Sequence, residues 1–189
     1  MNDRILIVSA SEKSADALAR ILRRYAWNDL EFASSAAEAR RVMLRGEYAL
    51  IIINAPLKDE QGDSLSVDLI HNSHSSVILI AKNDIVDVLA SKVEGDGVFV
   101  VPKPLQQRVF LSAVRLALAF NERIAELDKK MAKQEKKCEE LRVISRAKCV
   151  LIEKEHMTET EAHRFIEKQA MDKRESRAQI AAGILKRYI

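Results

Sequence analysis

Five short runs of mostly branched apolar residues recur through the first half of the chain: RILIV (4–8), LEFA (30–33), ALIII (49–53), SVILIA (76–81) and GVFVV (97–101). Side chains branched at Cβ pack well on a pleated surface, so each run predicts a β-strand. Between them lie stretches of longer apolar period, at about 13–25, 35–46, 64–71 and 84–93, which predict helices. Strands that alternate with helices form a parallel sheet covered on both faces. Leu50 to Ile53, apolar at every position, fits that double burial. The expected fold is an α/β doubly wound five-stranded parallel sheet, with its ligand crevice at the carboxyl ends of the strands.

Beyond about residue 105 the pattern changes. Neither glycine nor proline occurs between Leu105 and Gly183, and the chain reads as one long helix. Ala117, Phe120, Ile124, Leu127, Met131, Gln134, Cys138 and Leu141 follow one another at alternating steps of three and four, the rhythm of a coiled-coil seam. With Ala117, Ile124, Met131 and Cys138 at a, Arg123 and Lys130 fall at g, and Asp128 and Glu135 at e. In a parallel pair Arg123 then meets Asp128, and Lys130 meets Glu135, across the two helices. The following pair, Lys137 and Arg142, is repulsive, so the seam loosens there. The seam is short and contains Gln134, which leaves the coil marginal by itself.

The last segment is punctuated. Leu141, Ile144, Ala147, Val150 and Leu151 form an apolar stripe. Thr158 and Glu161 have the spacing of a capping box, so a new helix is expected from Thr158, with Ala162, Phe165, Ile166 and Ala170 facing inward. Ser176 is placed to cap a third helix carrying Ile180, Ala181, Ile184, Leu185 and Tyr188. Three such helices make a small bundle with a thin core, which dimerisation through the preceding coil would support.

The 189 residues suffice for one ordinary domain and something smaller. No apolar run approaches the roughly 20 residues that span a bilayer. The opening MNDRILIVSASEKSADALARIL has no apolar region followed by a small-residue cleavage site. Cys138 and Cys149 lie in one polar helical stretch without metal-ligand spacing, as expected of reduced thiols in a cytoplasmic protein. The net charge is +3, but residues 1–117 carry −1 and residues 118–189 carry +4. The basic excess of the tail points towards a polyanionic partner. The sequence holds no nucleophile–base pair, metal cluster or phosphate-cradling glycine loop, so no catalytic residue, metal or cofactor is assigned and an enzyme is not expected.

RVISRAKCVLIEKEHMTETEAHRFIEKQAMDKRESRAQIAAGIL resembles the ANTAR domain, the RNA-binding module of bacterial transcription antiterminators. Ala147–Lys148, Leu151, Thr158, Glu161–Ala162, Ala170–Met171 and Ile180–Ala181 carry the resemblance. The first half resembles the receiver domain of response regulators. The implied order is a receiver-like domain at 1–115, a coiled-coil linker helix at 116–141 and an ANTAR-like three-helix domain at 142–189. Receiver domains place two acidic residues after the first strand to hold magnesium, and an aspartate at the end of the third to accept a phosphoryl group. Here those positions read Ser9 and Ala10, followed by Ser11 and Glu12, and Asn54, with Gly62 in its expected place. The hydroxyl residue of the fourth strand falls on Ile80 or Ala81, the aromatic switch position on Val100, and only Lys103–Pro104 keeps its identity. An amide is no substitute for a carboxylate nucleophile, and neutral side chains do not replace the anionic ligands of a hard cation. The resemblance thus implies a pseudo-receiver that is not phosphorylated, which leaves either a standing dimer driven by the coil or control by a partner protein or ligand on the receiver.

The resemblance also implies a target, paired small hairpins in leader RNA, bound by a homodimer through the parallel coil. RNA loops are held by basic side chains on phosphates and by stacking or edge contacts to splayed bases. The candidate contacts are Arg142, Arg146 and Lys148 on the first helix, Arg164 and Lys168 on the second, and Lys173, Arg174 and Arg177 at the junction with the third. Two other readings compete. One is a DNA-binding transcription regulator, against which the bundle lacks a glycine-bearing tight turn. The other is a protein-interaction module that binds no nucleic acid.

Overall fold

The structure, a computed structural model, describes residues 4–188. These form β1 (Ile5–Ser9), α1 (Glu12–Arg23), β2 (Leu30–Ala33), α2 (Ala36–Met43), β3 (Leu50–Asn54), α3 (Asp63–Asn72), β4 (Ser76–Lys82), α4 (Val86–Val93), β5 (Phe99–Lys103), α5 (Gln107–Glu155), α6 (Glu159–Lys173) and α7 (Arg177–Tyr188). The chain divides into two compact units, Met1–Glu126 and Leu127–Ile189.

In the first unit the strands make one parallel sheet in the order β2-β1-β3-β4-β5. Side chains alternate across a sheet with period two, so one strand feeds two cores. Ile5, Ile7, Leu50, Ile52, Ile78 and Ile80 face α1 and the start of α5, where Leu18, Leu22, Phe110 and Val114 pack. Leu6, Val8, Ile51, Ile53, Val77 and Leu79 join Ala39, Leu65, Leu69 and Leu89 of α2, α3 and α4 on the other face. That is why the run Leu50 to Ile53 is fully buried at every position.

The fifth strand lies two residues later than the run at 97–101. Gly97 is left-handed at φ 87° and ends a 3-10 turn at Glu94–Asp96, so extended backbone begins only beyond it. Pro102 is accommodated because β5 is an edge strand, where a missing amide donor leaves no ladder bond unmade.

The first turns of α5 belong to this unit. Phe110, Leu111, Val114 and Ala117 are buried against the sheet, and Ser76 Oγ donates 2.8 Å to the Ala117 carbonyl. Ala117, the first position of the heptad seam, is therefore occupied by the sheet. Phe120 is half exposed and packs edge-on against Phe99, with ring centroids 6.2 Å apart. From Glu126 to Arg142 every residue is exposed.

The second unit packs the end of α5 against α6 and α7. Its core is Ala147, Leu151, Ala162, Ile166, Ala170, Ile180 and Ala181, with Ile144, Phe165, Ile184 and Leu185 partly buried around it. Four of the seven core residues are alanines, so the helices approach closely and the buried apolar area is small.

Phe110 is the largest fully buried side chain of the first unit's second core. Phe110→Ala is expected to lower its stability by about 3–5 kcal/mol, read as a shifted urea midpoint at unchanged slope.

Candidate functional site

Two places in the structure concentrate polar groups without a structural duty: the strand ends of the first unit and the outer surface of the second.

At the carboxyl ends of the strands, parallel registration sets Asn54 between Ser9 on β1 and Ile80 on β4. Asn54 Nδ2 donates 3.0 Å to Ser9 Oγ, and Ser9 Oγ in turn donates 3.0 Å to the Ser11 carbonyl. These are neutral partners, and the bond uses one of the two Asn54 Nδ2 hydrogens. Ala10 and Glu12 line an adjoining cavity of about 540 Å³ with Ser9, Ser34, Glu38 and Lys58. Ile80 faces the same side as Asn54, whereas Ala81 is buried in the opposite core. Among the described residues no group of His, Cys, Asp and Glu side chains could hold a metal ion.

Lys103 Nζ donates to the Ala55 carbonyl at 2.5 Å. Burial first, and then the charge of Lys82, push its pKa below the ordinary lysine value. Lys82 is its direct neighbour across β4 and β5. The sequence reading missed this second lysine, although the repeated Lys at the ends of SVILIAK and VFVVPK was a visible signal.

The loop after β3 is tied down elsewhere. Asp59 accepts from the amides of Ala36 and Ala37 at the N-terminus of α2, at 2.9 and 3.0 Å, which holds its carboxyl below the usual range. Glu60 accepts from the Leu65 amide at 2.9 Å and pairs with Arg40 at 3.1 Å. A further cavity of about 670 Å³ lies at the opposite, amino ends of β3 and β4, but Arg40 at its wall is paired with Glu60 and Asp68.

In the second unit, capping fixes the helix starts. Thr158 Oγ1 accepts from the Glu161 amide at 3.3 Å while the Glu161 carboxylate accepts from the Thr158 amide at 2.8 Å. Ser176 and Gln179 exchange the same two bonds at 3.2 and 2.8 Å. Arg174 ends α6 in the left-handed region at φ 55°, which a residue with a Cβ adopts rarely.

The eight basic candidates are not equivalent. Lys148 is half buried and held by Glu159 at 2.9 Å. Arg177 is paired with Glu167 at 3.0 Å and so ties α7 to α6. Arg142 has a loose contact with Glu139 at 3.7 Å. Arg146, Arg164, Lys168, Lys173 and Arg174 are exposed and make no side-chain hydrogen bond or ion pair with the described residues. Arg164 and Lys168, four apart, share the face of α6 opposite Ala162, Ile166 and Ala170, and Met171 on that face is 72 % exposed.

Comparison with known proteins agrees with this geometry. Residues 132–185 match the ANTAR domain family. The match begins upstream of residue 142 and takes in part of the exposed helix. The transcriptional regulatory protein PdtaR of two Mycobacterium tuberculosis strains, CDC 1551 / Oshkosh and H37Rv, is 21 % identical over 182 residues, 96 % of this chain and 89 % of the relative. The signal receiver domain of an HD domain-containing protein from Pseudomonas fluorescens Pf-5 is 26 % identical with a TM-score of 0.59, over 67 % of this chain and 94 % of that one. The receiver domain of a putative Luxo repressor protein from Vibrio parahaemolyticus is 22 % identical with a TM-score of 0.60, over 67 % and 98 %. The adenylate cyclase structure from Rhodopirellula baltica, 16 % identical with a TM-score of 0.62 over 70 % and 99 %, shares the fold. The chain is a response-regulator-like protein: a receiver fold followed by an ANTAR domain. The relative matched over most of its length is named as a regulatory protein, and among the described residues no helix is long and apolar enough to cross a membrane.

Hydrogen bonds from the Thr158 amide and then its hydroxyl hold the Glu161 carboxyl below its ordinary value of 4.5. The native state then binds fewer protons than the unfolded one, so the bond's contribution is present above about pH 4.5 and is lost as pH falls through the lowered folded value. Glu161→Gln keeps an acceptor at the cap and is expected to flatten the acid limb of α6 amide protection, measured by hydrogen exchange on the full chain.

Proposed function

We propose that the protein is a cytoplasmic, RNA-binding transcription antitermination regulator that works as a dimer, with a receiver domain that does not accept a phosphoryl group. The observation that carries the reading is the set of basic side chains on the ANTAR unit, Arg146, Arg164, Lys168, Lys173 and Arg174, left without internal partners. Their neighbours Lys148 and Arg177 hold the bundle together instead. A cation kept in water without a partner costs the fold little and is available to a phosphate. Looped RNA suits the surface better than duplex DNA, since α6 and α7 are joined through Arg174 and the Ser176–Gln179 cap rather than a glycine-bearing tight turn.

The dimer follows from the exposed helix. Leu127, Met131 and Leu141 are 40, 61 and 57 % exposed on a segment, 126–142, where every residue is exposed. A second copy of the same seam would cover them. Two bundles on one dimer engage two hairpins, and the linked sites gain avidity when the spacing allows both to bind. Because Ala117 is buried in the sheet, the usable seam begins near Ile124, which makes pairing concentration-dependent. The silent receiver follows from Asn54, Ser9 and Ala10, which offer neither a carboxylate nucleophile nor an anionic cation site. Input from a partner protein or ligand then replaces phosphorylation.

Arg164→Glu with Lys168→Glu is expected to abolish binding of tandem-hairpin RNA, and Lys168→Gln alone to lower the slope of log K against log salt by about one. Arg174→Gly separates recognition from folding: it relieves the left-handed backbone, with stability unchanged or raised by up to about 1 kcal/mol, while RNA affinity falls. Equal RNA binding by the double charge reversal would overturn the role given to Arg164 and Lys168, and a parent chain that binds no hairpin RNA would support the protein-interaction reading. Preference for duplex DNA in competition would support the DNA-binding one.

Leu127→Asp with Met131→Asp places four carboxylates in the paired seam. Sedimentation is expected to show a single subunit at concentrations where the parent chain is dimeric, with monomer hairpin binding retained and tandem-hairpin avidity lost.

A further inference from the structure

The strand-end pocket that lacks acidic groups has not become inert. A cleft of about 420 Å³ opens between α1 and the ends of β3, β4 and β5. Its size is within the range of small-molecule sites. The polar groups at one end are Lys103, Asn54 and Ser14, and the walls are apolar, with Leu18, Ile21 and Leu105 among them.

Lys103 is half buried and has one bond, to the Ala55 carbonyl, although an ammonium carries three donors. It makes no ion pair with any described residue. Its neighbour across the strands, Lys82, has the same charge. Asn54 Nδ2 spends one of its two hydrogens on Ser9 and keeps the other. The cleft thus offers spare donors and a positive charge where an ordinary metal pocket offers acceptors. A single anion placed there would pair the half-buried ammonium and offset its repulsion from Lys82.

We propose that this cleft binds a small monocarboxylate with a short apolar body, the carboxylate on Lys103 and Asn54 and the body against Leu18, Ile21 and Leu105. One ammonium and one amide match a single negative charge, and the apolar walls reward a hydrocarbon body that inorganic phosphate lacks. This rests on the reading of the receiver as silent to phosphorylation and supplies its missing input. The cleft reaches Leu105, two residues before α5 begins, so ligand binding acts where the long helix starts. It shifts the dimer equilibrium only by its difference in affinity between the two states.

The test is calorimetry on the full-length chain with hexanoate, hexan-1-ol, hexylamine and inorganic phosphate as probes. Hexanoate is expected to bind saturably, one per chain, with the alcohol and the amine at least about tenfold weaker, the loss of a charged hydrogen bond. Lys103→Met should weaken hexanoate by about tenfold or more, and Lys103→Arg by much less. Thermal unfolding of Lys103→Met at or above the parent temperature shows that the loss is not a folding defect. Hexanoate that fails to bind, binds Lys103→Met equally well, or binds more weakly than phosphate overturns the proposal. Mass measurement after treatment with acetyl phosphate and magnesium separates the two readings. A phosphorylated chain overturns the silent receiver and the ligand proposal with it. No label together with no hexanoate binding overturns the ligand proposal alone.

Discussion

Burial of β1 and β3 on both faces is the constraint on which the first unit depends. Ile5 to Val8 and Leu50 to Ile53 are completely covered, so no polar side chain can sit along the strands without a partner in the core. In β1 and β3 polar residues appear only at the carboxyl ends, at Ser9 and Asn54, and Lys82 and Lys103 close β4 and β5 at the same edge of the sheet. Parallel registration then gathers those ends side by side. The pocket is thus a by-product of two central strands that cannot tolerate polarity along their length, and its character is set by the few residues at their ends.

Charge at those residues decides what the pocket can do. Ser9 and Asn54 satisfy each other through a neutral bond, which costs the fold little and attracts no cation. Lys103 then becomes the dominant charge rather than a counterion to acids. The second unit follows a related logic with opposite economy. Its core is small and rich in alanine, so capping boxes at Thr158 and Ser176 and ion pairs through Lys148 and Arg177 add to helix placement. Basic residues beyond those pairs remain in solvent, where the proposed RNA would meet them.

Much of this was legible from residue order alone. The five strands, the flanking helices, the long helix and the capped starts at Thr158 and Ser176 follow from period, branching and hydroxyl–acid spacing, all of which are local. β5 was misplaced by two residues because GVFVV is apolar from its first residue, while Gly97 is held left-handed by the preceding turn. Ala117 reads equally well as seam or sheet contact, since a small apolar residue suits both; its burial against the sheet and the bond from Ser76 to its carbonyl distinguish them. Lys148 and Arg177 read as surface cations because their partners Glu159 and Glu167 lie ten or more residues away, beyond any helical period. The charge of Lys82 beside Lys103 depends on strand registration, at which the lysines ending SVILIAK and VFVVPK only hint.

Asp59 closes the amino end of α2 from a loop more than twenty residues downstream, and Glu60 grips both Leu65 and Arg40. The segment after Asn54 is therefore stapled at two points before it reaches α3. A rearrangement begun at Asn54 would have to break those staples to travel that way. Messages from this pocket have a shorter road on the other side, where Lys103 and Pro104 hand the backbone straight to the helix that leads towards the ANTAR unit. In the proposed reading, a receiver built like this is a sensor whose wiring has been moved to its last strand.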